Sequence, residues 1–353
     1  MICAFHRIMT DSNSIRLSIP LILIITALAF SSAGVCAQRV QLVPLFSITG
    51  DDSFKKLNMP SDVFVDDKHG EIYVVDAGNR RIVIFEIDGF YKHQFTIPGK
   101  DAPNSLAVNS RGEILVAIGG RIALCDFRGE LLEYVDFHGF PYSGNVNASR
   151  MRIDKQDNYY VLDAARRRVL VFDNDWNFKF GIDKESFPKT ARNLTHGEKQ
   201  EQPMVESLNI SEICVDNEGM IYLLDATASR AYVFNHEGEY ERSIGEPGAA
   251  FNTLSLPFGV AVDSQDRVLV TDSTGHGLLG YDKEGKFLFA LGGLGKSEGR
   301  FYFPKHVSTD GSGRIYVIEP FLGRVQVLTT KLRPDGDDIA YTPVETHSSE
   351  HGK

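Results

Sequence analysis

The residues that decide the fold are MPSDVFVDDKHGEIYVVDAGNRRIVIFEIDG, which occupy positions 59–89. Three short runs rich in Val, Ile, Tyr and Phe are separated by polar stretches that contain Asp, Gly or Asn. Runs of this composition and length, bounded by such residues, are typical of β-strands joined by tight turns. The stretch therefore predicts an antiparallel sheet made of consecutive hairpins.

The same phrase recurs along the chain. Clear copies are SEICVDNEGMIYLLDATASRAYVFNHEG (211–238) and LPFGVAVDSQDRVLVTDSTGHGLLGYDKEG (256–285), and weaker copies begin at 104, 149 and 305. Consecutive copies lie 43–47 residues apart, with one step of 62, when measured between the residues that close their first strands: Asp66, Asn109, Asp154, Asp216, Asp263 and Asp310. A repeat of about 45 residues with four short strands has the size of one propeller blade. The sequence predicts an all-β fold, a six-bladed β-propeller with four-stranded blades over residues 38–330.

The ring needs a closing strand, because the sixth repeat (305–328) stops after its third strand. The segment QLVPLFSI (41–48) precedes the first repeat and belongs to no other blade. We expect this N-terminal strand to complete the last blade, which removes an exposed sheet edge that favours aggregation. Pro44 is compatible with such a strand because it would lie at the outer edge of the blade.

An acid and an arginine recur five residues apart inside the repeats, across the hairpin between the second and third strands. The pairs are Asp76 and Arg81, Asp163 and Arg168, Asp225 and Arg230, and Glu319 and Arg324. Cross-strand ion pairs at this spacing help to set strand register. We interpret these acids as structural, and no residue is assigned a catalytic role.

The N-terminus has the layout of a signal peptide. Arg7 and Arg16 precede an apolar run over 19–30, and small residues follow up to Ala37. The run is shorter than the roughly 20 residues of a membrane span. We therefore expect residues 1–37 to be removed and the protein to be exported, periplasmic or extracellular, without a membrane span after cleavage. Two alternatives are an uncleaved anchor and a lipoprotein modified at Cys36.

The formal net charge is −10, and no block of basic residues is present. Nucleic-acid binding depends on clustered cations that neutralise phosphates, so the sequence argues against a nucleic-acid partner. Residues 331–353 are polar and show no periodicity, which predicts a disordered tail.

The repeats resemble NHL repeats. PFGVAVD (257–263) is similar to the first-strand motif of that family, and DAGNRRIVIF (76–85) to its hairpin motif. The resemblance covers about residues 40–330 and implies a six-bladed propeller. The family contains protein-binding, nucleic-acid-binding and enzymatic members, so the resemblance does not name a function. One enzymatic group, the peptidyl-hydroxyglycine amidating lyases, holds metal through channel histidines; of the aligned positions in this chain only His306 is a histidine.

The residues that open the first strands are candidates for a binding site, because the first strand of a propeller blade lines the central channel. NHL repeats normally have glycine there, whereas this chain has Asp62, Ser105, Arg150, Glu212, Gly259 and His306. We predict a ligand-binding channel mouth formed by Asp62, Arg150, Glu212 and His306. The carboxylates and the imidazole suit a divalent cation such as Ca²⁺ or Zn²⁺. Arg150 favours an anionic or zwitterionic group instead, such as a peptide terminus.

Two functions follow from these observations. The first is a binding module that holds a protein, peptide or small polar ligand on its top face, where the irregular stretches 138–146 and 186–206 also emerge. The alternative is a metal-dependent lyase or hydrolase that resembles the amidating lyases. No cofactor is assigned apart from the possible metal ion.

Overall fold

A computed structural model describes residues 40–50, 55–137, 141, 145–188 and 208–332. These residues form six antiparallel sheets of four strands each. The innermost strands of consecutive sheets contact one another around the molecule, and the last contacts the first. The predicted six-bladed β-propeller is therefore confirmed. The predicted signal peptide, and most of the stretches 138–146, 186–206 and 331–353, lie outside the described residues.

The first three blades use strands in simple chain order. Blade 1 consists of β2 (Asp62–Asp66), β3 (Glu71–Asp76), β4 (Arg81–Glu86) and β5 (Tyr91–Phe95). Blade 2 consists of β6 (Pro103–Val108), β7 (Ile114–Ile118), β8 (Arg121–Cys125) and β9 (Leu131–Tyr134). Blade 3 consists of β10 (Ala148–Ile153), β11 (Tyr159–Asp163), β12 (Arg168–Phe172) and β13 (Phe178–Ile182).

The next two blades follow the same order, and the last combines both ends of the described chain. Blade 4 consists of β14 (Ile210–Val215), β15 (Ile221–Asp225), β16 (Arg230–Phe234) and β17 (Tyr240–Ile244). Blade 5 consists of β18 (Pro257–Val262), β19 (Val268–Asp272), β20 (Gly277–Tyr281) and β21 (Phe287–Gly292). Blade 6 consists of β22 (Val307–Thr309), β23 (Ile315–Glu319), β24 (Arg324–Leu332) and β1 (Val40–Ile48). Short 3-10 turns lie at Ala77–Asn79, Lys184–Ser186 and Pro320–Leu322.

Strand β1 closes the ring, as the sequence predicts. It pairs antiparallel with β24 from Val40 opposite Leu332 to Ile48 opposite Val325. β1 is the outermost strand of blade 6, and the pairing shifts by one residue between Pro44 and Phe46. A proline lacks the N–H that a central strand needs, so an outer strand with an irregularity is where it fits.

The core lies between the blades. The second strand of the blades is buried along its whole length, for example in β7, β11, β15, β19 and β23. Six apolar clusters fill the interfaces between neighbouring blades, one per interface in the described residues. Each sheet thus buries both faces against its neighbours, which explains the nearly continuous apolar character of these strands. Cys125 is buried, Cys214 is half-buried, and both thiols are free.

Three of the four predicted hairpin ion pairs form. The nitrogen–oxygen distances are 2.6 Å for Arg81–Asp76, 3.0 Å for Arg168–Asp163 and 2.5 Å for Arg324–Glu319.

The ion pair predicted for blade 4 is wrong. Asp225 and Arg230 face each other in register, but Arg230 Nε donates to the carbonyl of Ala228 at 3.3 Å. The Asp225 carboxylate instead accepts backbone N–H groups, including those of Asn209 and Thr227 at 2.9 Å. The acid is still structural, since it caps the hairpin turn and the incoming loop.

Within the described residues, no helix is long and apolar enough to cross a membrane.

Candidate functional site

The central channel has two ends, which the strand directions define. Each first strand starts at the face that carries the connections between blades and the hairpins between second and third strands; we call this the upper face. It ends at the face that carries the turn to the second strand, the lower face. The positions that open the first strands therefore lie towards the upper end of the channel.

Three of the four predicted site residues meet inside the channel. Asp62 (blade 1), Glu212 (blade 4) and His306 (blade 6) are buried. The His306 ring lies between the two acids, with Nε2 3.0 Å from Asp62 Oδ1 and Nδ1 2.8 Å from Glu212 Oε2. Carboxylates only accept hydrogen bonds, so an imidazolium that donates from both nitrogens satisfies both contacts.

Arg152 on β10 completes this group, and the sequence analysis missed it. Its Nη1 and Nη2 lie 3.0 and 3.1 Å from the two oxygens of Asp62, and Nη2 lies 2.8 Å from Glu212 Oε1. Arg152 lies two residues after Arg150, and side chains two apart share one face of a strand. That alternation was the signal that could have identified it. We call Asp62, Arg152, Glu212 and His306 the ion cluster.

The positions of the blades explain how four charges fit together. In a six-membered ring, blades three apart lie opposite each other, so the acids of blades 1 and 4 face each other. The cationic groups of blades 3 and 6 do the same. Blades 2 and 5 contribute the small residues Ser105 and Gly259. A Cβ on Gly259 would lie 2.5 Å from the carbonyl oxygen of Lys305, so glycine is required for the close approach of the two blades there.

The neighbouring charges decide the protonation of the cluster. Burial acts to raise the pKa of Asp62, but Arg152 and His306 outweigh it and hold that pKa well below its usual range. The pKa of Glu212 is lowered by the same balance, with burial opposed by Arg152, Arg150 and His306. Burial acts to lower the pKa of His306, but Asp62 and Glu212 raise it. The stable form is therefore two carboxylates, a guanidinium and an imidazolium, with no net charge.

Arg150, the fourth predicted residue, covers the cluster from the upper side. Its Nη1 donates to the backbone carbonyls of Ser61 and Asn104 at 3.1 and 2.8 Å. Its Nε lies 3.7 Å from Glu212 Oε2. The structure thus brings all four predicted residues together, and their role as a ligand site stays a prediction.

Lys305 adds a second cation beside Arg150. Its Nζ lies 4.3 Å from the centre of the Phe258 ring, a cation–π distance. In the described part of the chain, no carboxylate lies within ion-pairing distance of this Nζ. Burial and the charge of Arg150 lower the pKa of Lys305. We call Arg150, Lys305 and Phe258 the upper mouth; it carries two positive charges above a cluster that is already neutral.

The lower side of the cluster faces a cavity of about 430 Å³. Arg152 and His306 form its inner end, and Asp62, Glu212 and Arg150 are absent from its lining. Its wall includes Phe64, Cys214, Ala261 and Ser308, and its rim includes Asp67, Lys155, Asn217, Ser264 and Asp266. The ion cluster therefore separates this lower cavity from the upper mouth.

The predicted divalent cation has to compete with Arg152. Both oxygens of Asp62 and Oε1 of Glu212 accept from Arg152, and Glu212 Oε2 contacts His306. A metal ion between the acids would displace a guanidinium that is bound to both of them. The donor set present here suits the guanidinium, and Ca²⁺ or Zn²⁺ binding stays a prediction.

Comparisons with known proteins agree with the repeat and the fold. Residues 57–85 match the family model of the NHL repeat, which confirms the predicted repeat type in blade 1. No curated protein matches the chain in sequence.

Several solved structures share the fold. Virginiamycin B lyase from Staphylococcus aureus is 12% identical, with a TM-score of 0.52 over 82% of this chain and 98% of that chain. A gluconolactonase from Xanthomonas campestris is 12% identical, with a TM-score of 0.55 over 85% and 93%. A protein of unknown function from Bacteroides thetaiotaomicron is 13% identical, with a TM-score of 0.57 over 83% and 76%. At these identities the likeness concerns the fold alone.

Proposed function

We propose that this NHL-type propeller is an exported, non-catalytic binding module that holds an anionic group, most simply a carboxylate, at the upper mouth. The observation that carries the proposal is the net positive charge of the upper mouth. Arg150 pairs only with Glu212, at 3.7 Å, and among the described residues no carboxylate lies within ion-pairing distance of Lys305. The two acids below them are already balanced by Arg152 and His306. A bound carboxylate would supply the missing counter-charge.

The geometry of the two cations suits this role. Arg150 uses Nη1 for the carbonyls of Ser61 and Asn104, which fixes the guanidinium plane, and no described residue accepts from its Nη2. Side-chain exposure is 22%, so the group is partly shielded from water but reachable. Charge-assisted hydrogen bonds from a pre-oriented guanidinium and an ammonium are the usual means of binding a carboxylate.

Anion binding beside Lys305 should be coupled to protonation of this side chain, which can be measured. Burial and the charge of Arg150 lower the pKa of Lys305, so its charged form is less favourable than that of a lysine in water. A bound anion beside Lys305 would raise that pKa. At a pH where Lys305 is partly deprotonated in the unliganded protein, binding would therefore be accompanied by proton uptake.

The lyase or hydrolase alternative ranks below the binding module. It requires a base or metal ligand that is free to act on a substrate. The His306 ring contacts a carboxylate at each nitrogen, and the two acids are bound to Arg152. A general base must be able to accept a proton within hydrogen-bond reach of the substrate, and an imidazolium held this way cannot.

Export is proposed from the sequence of residues 1–37. N-terminal sequencing of the protein recovered outside the cytoplasm should begin near Gln38. Recovery of a cytoplasmic protein that retains residues 1–30 would refute export without affecting the binding site.

The binding proposal is tested by titrating acetate into the purified propeller and following chemical shifts. We expect saturable shifts at the upper mouth, and loss of affinity by roughly tenfold or more in Arg150→Gln and in Lys305→Ala. Arg80→Ala is the matched control, since Arg80 is an exposed arginine of the upper face in the blade 1 hairpin. Equal affinity in all four proteins would overturn the proposal.

A further inference from the structure

Four aromatic rings lie together on the upper face, where blades 5 and 6 meet. They are His276, Tyr302, Phe303 and Phe321, and we call them the aromatic shelf. Phe303 is at the centre, with ring-centre distances of 4.6 Å to His276, 4.9 Å to Tyr302 and 5.8 Å to Phe321. Phe321 is 57% exposed. His276, Tyr302 and Phe303 are half-buried, so the part of the shelf that a ligand can reach is centred on Phe321.

The backbone of the shelf is held in a conformation that bulky residues rarely adopt. Phe303 and His276 each have a φ of 50°, in the left-handed region, and Phe303 precedes a proline. The same conformation recurs at Arg80, Arg167 and Ser229 in the equivalent hairpin turns. It recurs also at Met59, which precedes Pro60, so these φ values belong to the repeat and not to the shelf. Here the N–H of Phe303 donates to His276 Nδ1 at 3.2 Å. Burial lowers the pKa of His276, which favours the neutral ring that this contact requires.

The aromatic shelf and the upper mouth are neighbours in the sequence. Phe303 and Lys305 are separated by Pro304 alone, and the Lys305 ammonium lies over the Phe258 ring. One ligand can therefore place an anionic group on Arg150 and Lys305 and an apolar side chain on the shelf.

We propose that the ligand is the C-terminus of a peptide whose last side chain is aromatic, with the terminal carboxylate at the upper mouth and the ring on the shelf. The inference rests on the proposed function and names its ligand. Charge complementarity assigns the carboxylate, and edge-to-face packing on Phe303 and Phe321 assigns the ring.

An open surface favours a peptide over a free small acid. Sites for small molecules are concave and bury most of the ligand. At the upper face Phe321 is 57% exposed, so a ligand on the shelf stays partly open to solvent. A peptide adds contacts along its chain, which a small acid cannot do.

The experiment uses fluorescence polarisation with peptides labelled at the N-terminus. One peptide ends in Phe with a free carboxylate, the second is its C-terminal amide, and the third ends in Gly with a free carboxylate. We expect the amide and the Gly peptide each to bind roughly tenfold more weakly than the first. Phe321→Ala should abolish the preference for Phe over Gly but leave the Gly peptide within about twofold.

Phe90→Ala is the matched control, because Phe90 is 71% exposed in the turn after β4, at the lower face. It should leave all three affinities unchanged, and melting temperatures should show that both variants are folded.

The outcomes separate the two proposals. A preference for the free carboxylate without a preference for Phe overturns the aromatic shelf and leaves the proposed function standing. Equal binding of acid and amide overturns both. If no peptide binds, the inference is overturned, and the acetate titration decides the proposed function. N-acetylphenylalanine that binds as tightly as the Phe peptide shows that the ligand is a small acid, which also overturns the inference.

Discussion

The two ends of the channel carry acids of two different kinds. At the lower end, the acids that close the first strands bind their own turns: Asp216 Oδ1 accepts the N–H groups of Glu218 and Met220 at 2.8 and 2.9 Å. Tyr222 donates to its other oxygen at 3.1 Å. At the upper end, Asp62 and Glu212 bind residues of other blades.

The comparison distinguishes scaffold from site within one repeat. An acid that recurs at the same position in nearly every blade satisfies the local backbone and is needed by every blade. Asp62 and Glu212, which replace the usual glycine, each accept the N–H of the next residue, but their charged partners come from other blades across the channel. Residues that break the repeat are therefore the stronger candidates for function, whereas those that keep it hold the fold.

The largest expected effect comes from removing residues 40–48, which opens the ring and tests whether both ends of the channel depend on closure. The deletion removes buried Val40 and Ile48 and leaves β24 unpaired on one side. Each fully buried side chain of this size contributes about 1.5–3 kcal/mol, so the two together contribute about 3–6 kcal/mol. That loss is comparable with the lower part of a typical whole stability of roughly 5–15 kcal/mol. Thermal unfolding measures it against a control that lacks only residues 1–37. A truncated protein that melts within a few degrees of this control would mean that the ring closes in another way.

Substituting one acid at each end of the channel, and comparing the two losses of stability, tests the difference between the two kinds of acid directly. Asp62→Asn removes a charge that Arg152 and His306 share, and breaking a buried pair in this way costs about 3–5 kcal/mol. Asp216→Asn keeps an acceptor for the turn amides and should cost only about 0.5–1.5 kcal/mol. Urea unfolding of both variants gives the two values. If Asp216→Asn is the more destabilising, the division into site and scaffold acids is wrong.

The pH dependence of stability should also differ between the ends, and His306→Gln reveals it. The pKa of His306 is raised in the folded protein, so its contribution is full below the ordinary value of about 6.5. That contribution is lost as the pH rises through the raised folded-state pKa. The contributions of Asp62 and Glu212, whose pKa values are lowered, are present above about pH 4 and lost on further acidification.

Because the pKa of His306 is raised, the stability difference between wild type and His306→Gln should be larger at about pH 6 than at about pH 9. A difference that does not change with pH would show that His306 is neutral in the cluster.

The smallest effect on stability is expected for Lys305→Ala. Lys305 has a cation–π contact with Phe258 and a like charge beside it, so its removal should change stability by less than about 1 kcal/mol. Ligand binding should nevertheless fall, as described for acetate. A large loss of stability in this variant would place Lys305 with the scaffold and not with the upper mouth.

Much of the site was predictable because one position per blade was known to face the channel. Asp62, Glu212 and His306 were found in this way, and Arg150 lies beside them. Arg152 was missed because it does not occupy the opening position of its first strand, although the next residue on the same face also reaches the axis. The ion pair of blade 4 was predicted from spacing, but the carbonyl of Ala228 is closer to Arg230 than the carboxylate is.

The sequence by itself determined the number of blades, the closing strand and the strand order. Those features follow from local patterns, since each strand and turn is specified by residues that are close together in the chain. Only the tertiary structure decided the charge state of the channel and the separation of the upper mouth from the lower cavity. Arg152 binds Asp62 across 90 residues, and His306 binds Glu212 across 94. The strength of such a pair depends on distances of a few ångströms and on burial, and both are set when the six blades close into a ring.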